Sequence, residues 1–485
     1  MKQNYLAIDL GASSGRAVVG TLDGDAMRMQ EVHRFTTPII DANGHLYWDI
    51  EQLWTEIQLG VANAFACDGM LRSVSIDSWA VDYVPLGNDG KALRDAYCYR
   101  DPRTEGCLDE AVKIAGGADV LYAQTGIQFL PFNTLPQVIA DLRDEADVVQ
   151  QTATRLFIAE YFLYRLSGNM IAEATMASTS QLVDVTTGQW SSTLIAAIGD
   201  DRHRWPRIVE CGTALGPMLA EFVPGDATTT PVVIASCTHD TAAAVAAVPA
   251  AGGRPWAYIS SGTWSLVGAE LAAPILTPES RKAGYTNEAG LDGSIRFLTN
   301  RAGMFVLEEC RREWASDAGK RSHEEVFAAA DLAESLGTID LNAAPFATRS
   351  DMVQKIRAAC VESGLRAPET QGELVRLILE SLSASHAAAL DRLDELTGTH
   401  AADVHIIGGG SQNDMLNQLT ADRSGRRVLA GPSEATILGN LLSQARSMGD
   451  LPAGVSIRDA ARRSTGIKTF SAQRGALSLT PAIHT

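Results

Sequence analysis

The chain has 485 residues, of which 46% are hydrophobic and 20% charged. It is too long for one ordinary core and too apolar for a disordered tail, so two globular domains are expected. A formal charge of -18 argues against nucleic-acid binding, because an acidic surface repels phosphodiester backbones.

The densest basic cluster, Arg202 to Arg207, reads as a solvated loop. The seven cysteines stand at positions 67, 98, 107, 211, 237, 310 and 360, with no CxxC spacing. Scattered thiols in odd number suit a reducing, cytoplasmic setting rather than a disulfide framework or a cysteine metal site. Met1 to Asn4 runs directly into an apolar strand, without the apolar stretch of a secretion signal. The small-residue run Thr241 to Ala251 contains Pro249 and is too short to span a bilayer, so no membrane partner is expected.

In chain order, the first predicted element is a strand over Tyr5–Asp9, which empties into Gly11-Ala12-Ser13-Ser14-Gly15-Arg16 and resumes at Ala17–Gly20. Leu71–Ile76 alternates as a strand and ends at Asp77. A strand over Pro231–Ala235 leads through Thr238-His239-Asp240-Thr241 into a helix. The segment Val248 to Pro255 breaks both helix and strand and is the predicted boundary, giving domains 1–248 and 249–485. The opening pattern then returns. Ala257–Ile259 is a strand, Ser260-Ser261-Gly262-Thr263 a small-residue turn, and Trp264–Gly268 the continuing strand. Leu374–Leu396 carries apolar residues at helical spacing. The strand Val404–Ile407 follows, then Gly408-Gly409-Gly410 and a helix capped by Ser411. Strand Arg427–Ala430 and helix Ser433–Ser447 close a β-α-β-α run. The C-terminal stretch beyond has no strong periodicity.

Three segments have the chemistry for a site. Glycine-bounded turns let backbone amides converge on a phosphate, although such a hairpin is also an ordinary tight turn. The chain contains neither GxxxxGK[ST] nor GxGxxG, which excludes a Walker A loop and a dinucleotide fingerprint. Asp9, just before the first turn, is placed to hold Mg²⁺ through water or simply to end a strand. Asp240, at a helix start, is either a cap stabilised by the dipole or a base that accepts a proton from a sugar hydroxyl. The loop Gly408–Gly410 allows close approach by a planar ligand such as adenine, or is a flexible turn.

Taken in order, these segments resemble the FGGY carbohydrate kinases of the actin-like ATPase superfamily, from Tyr5 to about Asn440. The resemblance is carried by AIDLGASSGR at 7–16, SIDSWAVDYVPL at 75–86, YRDPRT at 99–104 and GIQFLPFNTL at 126–135. It continues in SCTHDTAAAV at 236–245, YISSGTWSLVG at 258–268, TNEAG at 286–290, IIGGGSQNDMLNQLTAD at 406–422 and GPSEATILGN at 431–440. It implies an α/β fold of two RNase H-like domains around a deep cleft, sugar on the N-terminal side and nucleotide on the C-terminal side. The implied substrates are ATP, with Mg²⁺, and the 1-hydroxyl of a small deoxy-ketose.

The same resemblance implies that Asp240 is the catalytic base and Asp9 places Mg²⁺. Ala12, Ser13, Ser14, Gly15 and Arg16 would form the first phosphate loop. Thr263 would lie in the second, with Gly409 against adenine and ribose and Glu308 at a further nucleotide position. Sugar contacts would fall on Ala80, His239, Asp240, Thr241 and Asn300. Two departures from the family pattern matter. Ala80 stands where glycine is usual, adding a methyl on the sugar side. Glu308 stands where glutamine is usual, and its carboxylate would repel phosphates unless a metal or Arg301 offsets it.

Overall fold

The computed structural model describes residues 2–67, 70–318, 322–347 and 350–473. The chain forms two compact units, one of Met1–Pro249, Glu270–Phe297 and Ala435–Thr465, the other of Ala250–Ala269, Leu298–Glu434 and Gly466–Thr485. The predicted boundary segment adjoins the first passage between units, at Pro249. Two later segments group with the first unit, a passage that local sequence does not signal because it follows from packing rather than from a linker.

The first unit is built on a six-stranded sheet. Its order is Thr213–Pro217, Val232–Ala235, Leu71–Ser78, Gln3–Leu10, Ser14–Asp23 and Ala26–Thr36. Gln3–Leu10 runs antiparallel to Ser14–Asp23 and parallel to Leu71–Ser78, pairing Asp9 with Arg16 on one side and with Asp77 on the other. Its near-continuous apolar run is that of a strand buried on both faces. Leu6, Ile8 and Leu10 belong to a core with Leu53 and Ile57 of the helix Ile50–Cys67 and Phe162 of Ile158–Ser167. Tyr5 and Ala7 pack with Leu438, Leu441 and Leu442 of the helix Ala435–Ser447. Period-two alternation therefore sends each set to its own layer.

Gly439 explains how that last helix lies so close to Asp240–Ala246. A Cβ at 439 would stand 1.8 Å from the Ala243 carbonyl oxygen. From the same helix Gln444 donates to the Leu6 carbonyl at 2.9 Å and accepts from the Ser73 hydroxyl at 2.6 Å, tying helix to sheet.

In the second unit the strands run in the order Trp264–Leu271, Trp256–Ser261, Asp403–Ile407, Arg427–Ala430 and Lys468–Phe470. Trp256–Ser261 is antiparallel to Trp264–Leu271 and parallel to Asp403–Ile407, repeating the arrangement of the first sheet. A helical core gathers Val306 and Leu307 of Phe305–Ala318, Ile356 of Met352–Glu362 and Leu374, Ile378 and Leu382 of Gln371–Thr397. The long helix begins at a capping box in which Thr370 and Glu373 satisfy each other's backbone amides.

One predicted cap is corrected. Ser411 does not cap the helix after the triple glycine. Gly409–Gln412 first forms a short 3-10 turn, and the helix Asp414–Ser424 is capped by Asn413, which accepts from the Leu416 amide at 2.9 Å. Ser411 donates instead to the Gly408 carbonyl at 2.7 Å. Among the described residues no helix is long and apolar enough to cross a membrane.

Candidate active site

In the first unit, three carboxylates gather at the ends of neighbouring strands. Asp9 sits one residue before the end of Gln3–Leu10, and Asp77 is its register partner. The Ser78 amide donates to the Thr238 carbonyl at 2.9 Å, which docks the Thr238–Thr241 loop onto the strand end and brings Asp240 to the same corner. Arg16 pairs with the first of them, reaching Asp9 Oδ2 through Nε at 3.2 Å and Nη2 at 3.1 Å.

The crowding shows in their acidity. Burial, followed by the charge of Asp9, pushes Asp240 up to about 7, against the opposing bonds from Thr241 and the charge of Arg296. The Asp240 side chain keeps 32% of its surface open, so solvent tempers that shift. Asp77 is fully buried and raised well above the usual range, first by burial and then by Asp9, with the Asn440 amide opposing and Asp240 adding to the rise. Asn440 holds Asp77 Oδ2, while the buried Oδ1 has no hydrogen-bond partner. The helix dipole alone would make Asp240 a weak base; desolvation and like charge outweigh it.

Asp240 is not the cap of its helix. It is the first helical residue, and the N-cap position belongs to His239, whose side chain makes no capping bond. Asp240 Oδ1 accepts from the Thr241 amide at 2.5 Å and from the Thr241 hydroxyl at 3.1 Å.

Behind the loop lies a network that no motif announces. Thr238 donates from its amide to Glu173 Oε2 at 3.1 Å, and its hydroxyl lies 2.7 Å from Glu160 Oε1 and 3.0 Å from Glu173 Oε2. Both glutamates are fully buried. A hydroxyl has one proton to offer two carboxylates, an arrangement that is relieved when one glutamate is itself protonated. Burial raises both carboxyls, Glu160 up to about 8, and we assign the proton to Glu160. These residues were illegible in sequence, since an isolated glutamate, whether in the helix Ile158–Ser167 or the short strand Ala172–Glu173, has no spacing signal.

Ala80 lies two residues before another buried carboxylate, Asp82. Asp82 accepts from Trp48 Nε1 at 2.6 Å, Trp79 Nε1 at 3.0 Å, the Tyr99 amide at 3.1 Å and Gln137 Nε2 at 2.8 Å. Burial pushes it up to about 6 even so. The anchored indoles of Trp48 and Trp79 stand 4.3 Å apart at their centroids, forming an aromatic wall next to Ala80.

In the first turn, Ser13 and Ser14 are exposed, and Thr37 steadies the backbone by donating its hydroxyl to the Gly11 carbonyl at 2.6 Å. Gly15 is buried, and a Cβ there would meet the Phe35 ring at 2.3 Å, so packing alone demands glycine at this position.

The second unit gathers another set of turns. Thr263 is exposed in the hairpin turn, and its carbonyl accepts from the Phe305 amide at 3.2 Å. Gly410 lies against Ser261, where a Cβ would stand 2.0 Å from Oγ, and the neighbouring Gly409 is open. Thr263 and Gly409 thus lie at the two turns that meet at Ser261, while Asn300 lies in the strand Ile295–Ala302. Glu308 is not offset by Arg301. Arg311 Nη1 contacts both its oxygens at 2.9 Å and His323 Nε2 lies 2.8 Å from Oε1. Burial raises Glu308, but these bonds win and hold it below the usual range.

Comparison with known proteins now bears on this geometry. Residues 4–247 match the N-terminal domain of the FGGY family of carbohydrate kinases and residues 257–448 its C-terminal domain. The chain belongs to the FGGY family of carbohydrate kinases. This FGGY kinase is 39% identical to a rhamnulokinase of Bacteroides thetaiotaomicron over 98% of its own length and 96% of the relative. It is 38% identical to a rhamnulokinase of Bacillus subtilis over 96% and 95%. A gluconate kinase from Lactobacillus acidophilus shares the fold, with a TM-score of 0.77 at 16% identity, covering 98% of this chain and 94% of that one. As a carbohydrate kinase it uses ATP as phosphoryl donor.

Proposed function

We propose that this kinase transfers the γ-phosphoryl of ATP to the 1-hydroxyl of L-rhamnulose, giving L-rhamnulose 1-phosphate and ADP, in the cytoplasm. One observation carries the chemistry: Asp240 is a carboxylate pushed up to about 7, with Oδ1 held by Thr241. A general base works best with its pKa near the operating pH. Its task here is to orient the sugar hydroxyl and take its proton late in the transfer. The choice of ketose is supported by the full-length similarity to rhamnulokinases. Residues 1–248 are proposed as the sugar side and 249–485 as the nucleotide side, with bounds near those of the two FGGY domain matches.

Ala80, His239, Thr241 and Asn300 are proposed to contact the sugar, with Trp48 and Trp79 as the wall behind Ala80. Ala12 to Arg16, Thr263 and Gly409 are proposed to hold the nucleotide. Asp9, beside Arg16 at the strand end, is the carboxylate proposed to place Mg²⁺. Among the described residues no group of three or more ligating side chains could hold a metal directly, and Mg²⁺ that keeps several waters needs only one or two carboxylates. Asp9 would hold it through water, and the ion would supply neutralisation of phosphate charge.

The test is a panel of ketoses with Mg-ATP, read by ADP release and by NMR of the phosphorylated carbon. L-rhamnulose turning over fastest, with phosphate on C1, is the expected result. Preference for L-fuculose would reassign the sugar. Sugar binding without turnover would make the protein a sensor and overturn the proposal.

A further inference from the structure

We infer that Arg296 locks His239 in the neutral form protonated on Nε2, so that the imidazole presents an N–H to Oδ1 of Asp240 and leaves Oδ2 to receive the substrate proton. The inference rests on the reading of Asp240 as the base and adds a positioning residue to it.

The argument is one of proton counting. Arg296 Nη2 lies 3.0 Å from His239 Nδ1. A guanidinium has donors only, so Nδ1 must be the acceptor and carry no proton. A neutral imidazole has one proton, which then resides on Nε2. The cationic form is disfavoured twice over: burial, then the charge of Arg296, hold His239 well below its ordinary range. Nε2 faces Asp240 Oδ1 at 3.3 Å. The Thr241 amide and hydroxyl donate to the same atom, and the Nε2 proton stands beside them as a charge contact rather than a third hydrogen bond. Oδ2 has no donor among the described residues.

Arg296 is itself pinned. It is fully buried, its Nε donates to the Ala289 carbonyl at 3.0 Å, and its Nη2 pairs with Glu288 Oε2 at 3.0 Å. Glu288 Oε2 also lies 3.7 Å from His239 Nδ1. Without the guanidinium, that carboxylate would be the nearest acceptor for a proton on Nδ1. Arg296 thus decides between two tautomers that the local geometry otherwise permits. The groups facing the ring are Asp240, Glu288 and Arg296, and the His239 amide is bonded to Thr175 Oγ1 at 3.4 Å.

The test labels histidine with ¹⁵N in the full-length chain and reads both ring nitrogens by long-range proton–nitrogen correlation, assigning His239 by its loss in His239→Gln. Neither ATP nor sugar is present, so the outcome is independent of whether Asp240 is the base. Wild-type protein should show Nε2 protonated and Nδ1 bare, unchanged from pH 5.5 to 8. Arg296→Gln should move the proton to Nδ1 or bring the ring into titration, and Arg296→Lys should restore the wild-type pattern. In kinetics, Arg296→Gln should lower kcat about 10- to 100-fold, by analogy with the outer partners that orient metal-bound histidines. A wild-type spectrum with Nδ1 protonated, or with His239 titrating in that pH range, would overturn the inference without any variant. An Arg296→Gln protein with an unchanged tautomer would overturn it as well.

Discussion

Glu160 offers the most direct quantitative test of the network behind the catalytic loop. In an unfolded chain its carboxyl ionises near 4.5, whereas in the folded protein burial holds the proton to about 8. A folded pKa above the unfolded one gives stability that is fully present below 4.5 and is lost as pH rises through 8. At about 1.36 kcal/mol per pH unit, that interval corresponds to a loss of about 5 kcal/mol. This is a ceiling, because structural relaxation and water entry soften the penalty of a buried charge.

Glu160→Gln removes the titration but keeps shape and a donor for Thr238 Oγ1. Urea unfolding of both proteins from pH 4.5 to 9 should show the variant gaining on the wild type as pH rises, most of the gain falling between 5 and 8. Asp82 is also raised, but it lies outside this network and cancels in the difference, whereas Glu173 is coupled to Glu160 and its own titration is part of what the variant changes. Parallel stability curves would refute the assignment of the shared proton to Glu160.

Asp240→Asn should lower kcat by about 10²- to 10⁴-fold with little change in Tm, measured by coupled ADP release and calorimetry. In the wild type, kcat/KM should fall on the acid side of about pH 7 as Asp240 takes up a proton. Gly439→Ala should cost at least about 1–3 kcal/mol by thermal unfolding, because the new methyl meets the Ala243 carbonyl rather than a yielding side chain. Glu308→Gln should change KM for ATP by less than about threefold, since Arg311 and His323 already offset the carboxylate and a half-exposed charge is well screened. A tenfold drop in KM would instead mean that Glu308 repels the phosphates.

Much of the architecture was legible in the amino-acid order because it is local. The apolar strand Tyr5–Asp9, the alternation of Leu71–Ile76 and the helical spacing of Leu374–Leu396 are short-range signals that lie within observed elements, and the glycine-bounded turns join paired strands. The helix start at 414 was misread because Ser411 and Asn413 are both good caps, and the choice depends on the 3-10 turn between them. Asp9 and Asp240 were recognisable from the motifs around them.

What the chain order could not reveal was distance. Asp77 becomes a neighbour of Asp9 only through strand register, and Asn440 reaches it from a helix near the end of the chain. The Cys211 and Cys237 thiols, scattered in sequence, lie 3.1 Å apart. Asp240 looks like a stabilised, weakly basic carboxylate in its own segment. Burial and its acidic neighbour make it a base near neutrality, and the face that Arg296 imposes on His239 follows the same rule. Desolvation and charge act through space, so only the tertiary structure sets them.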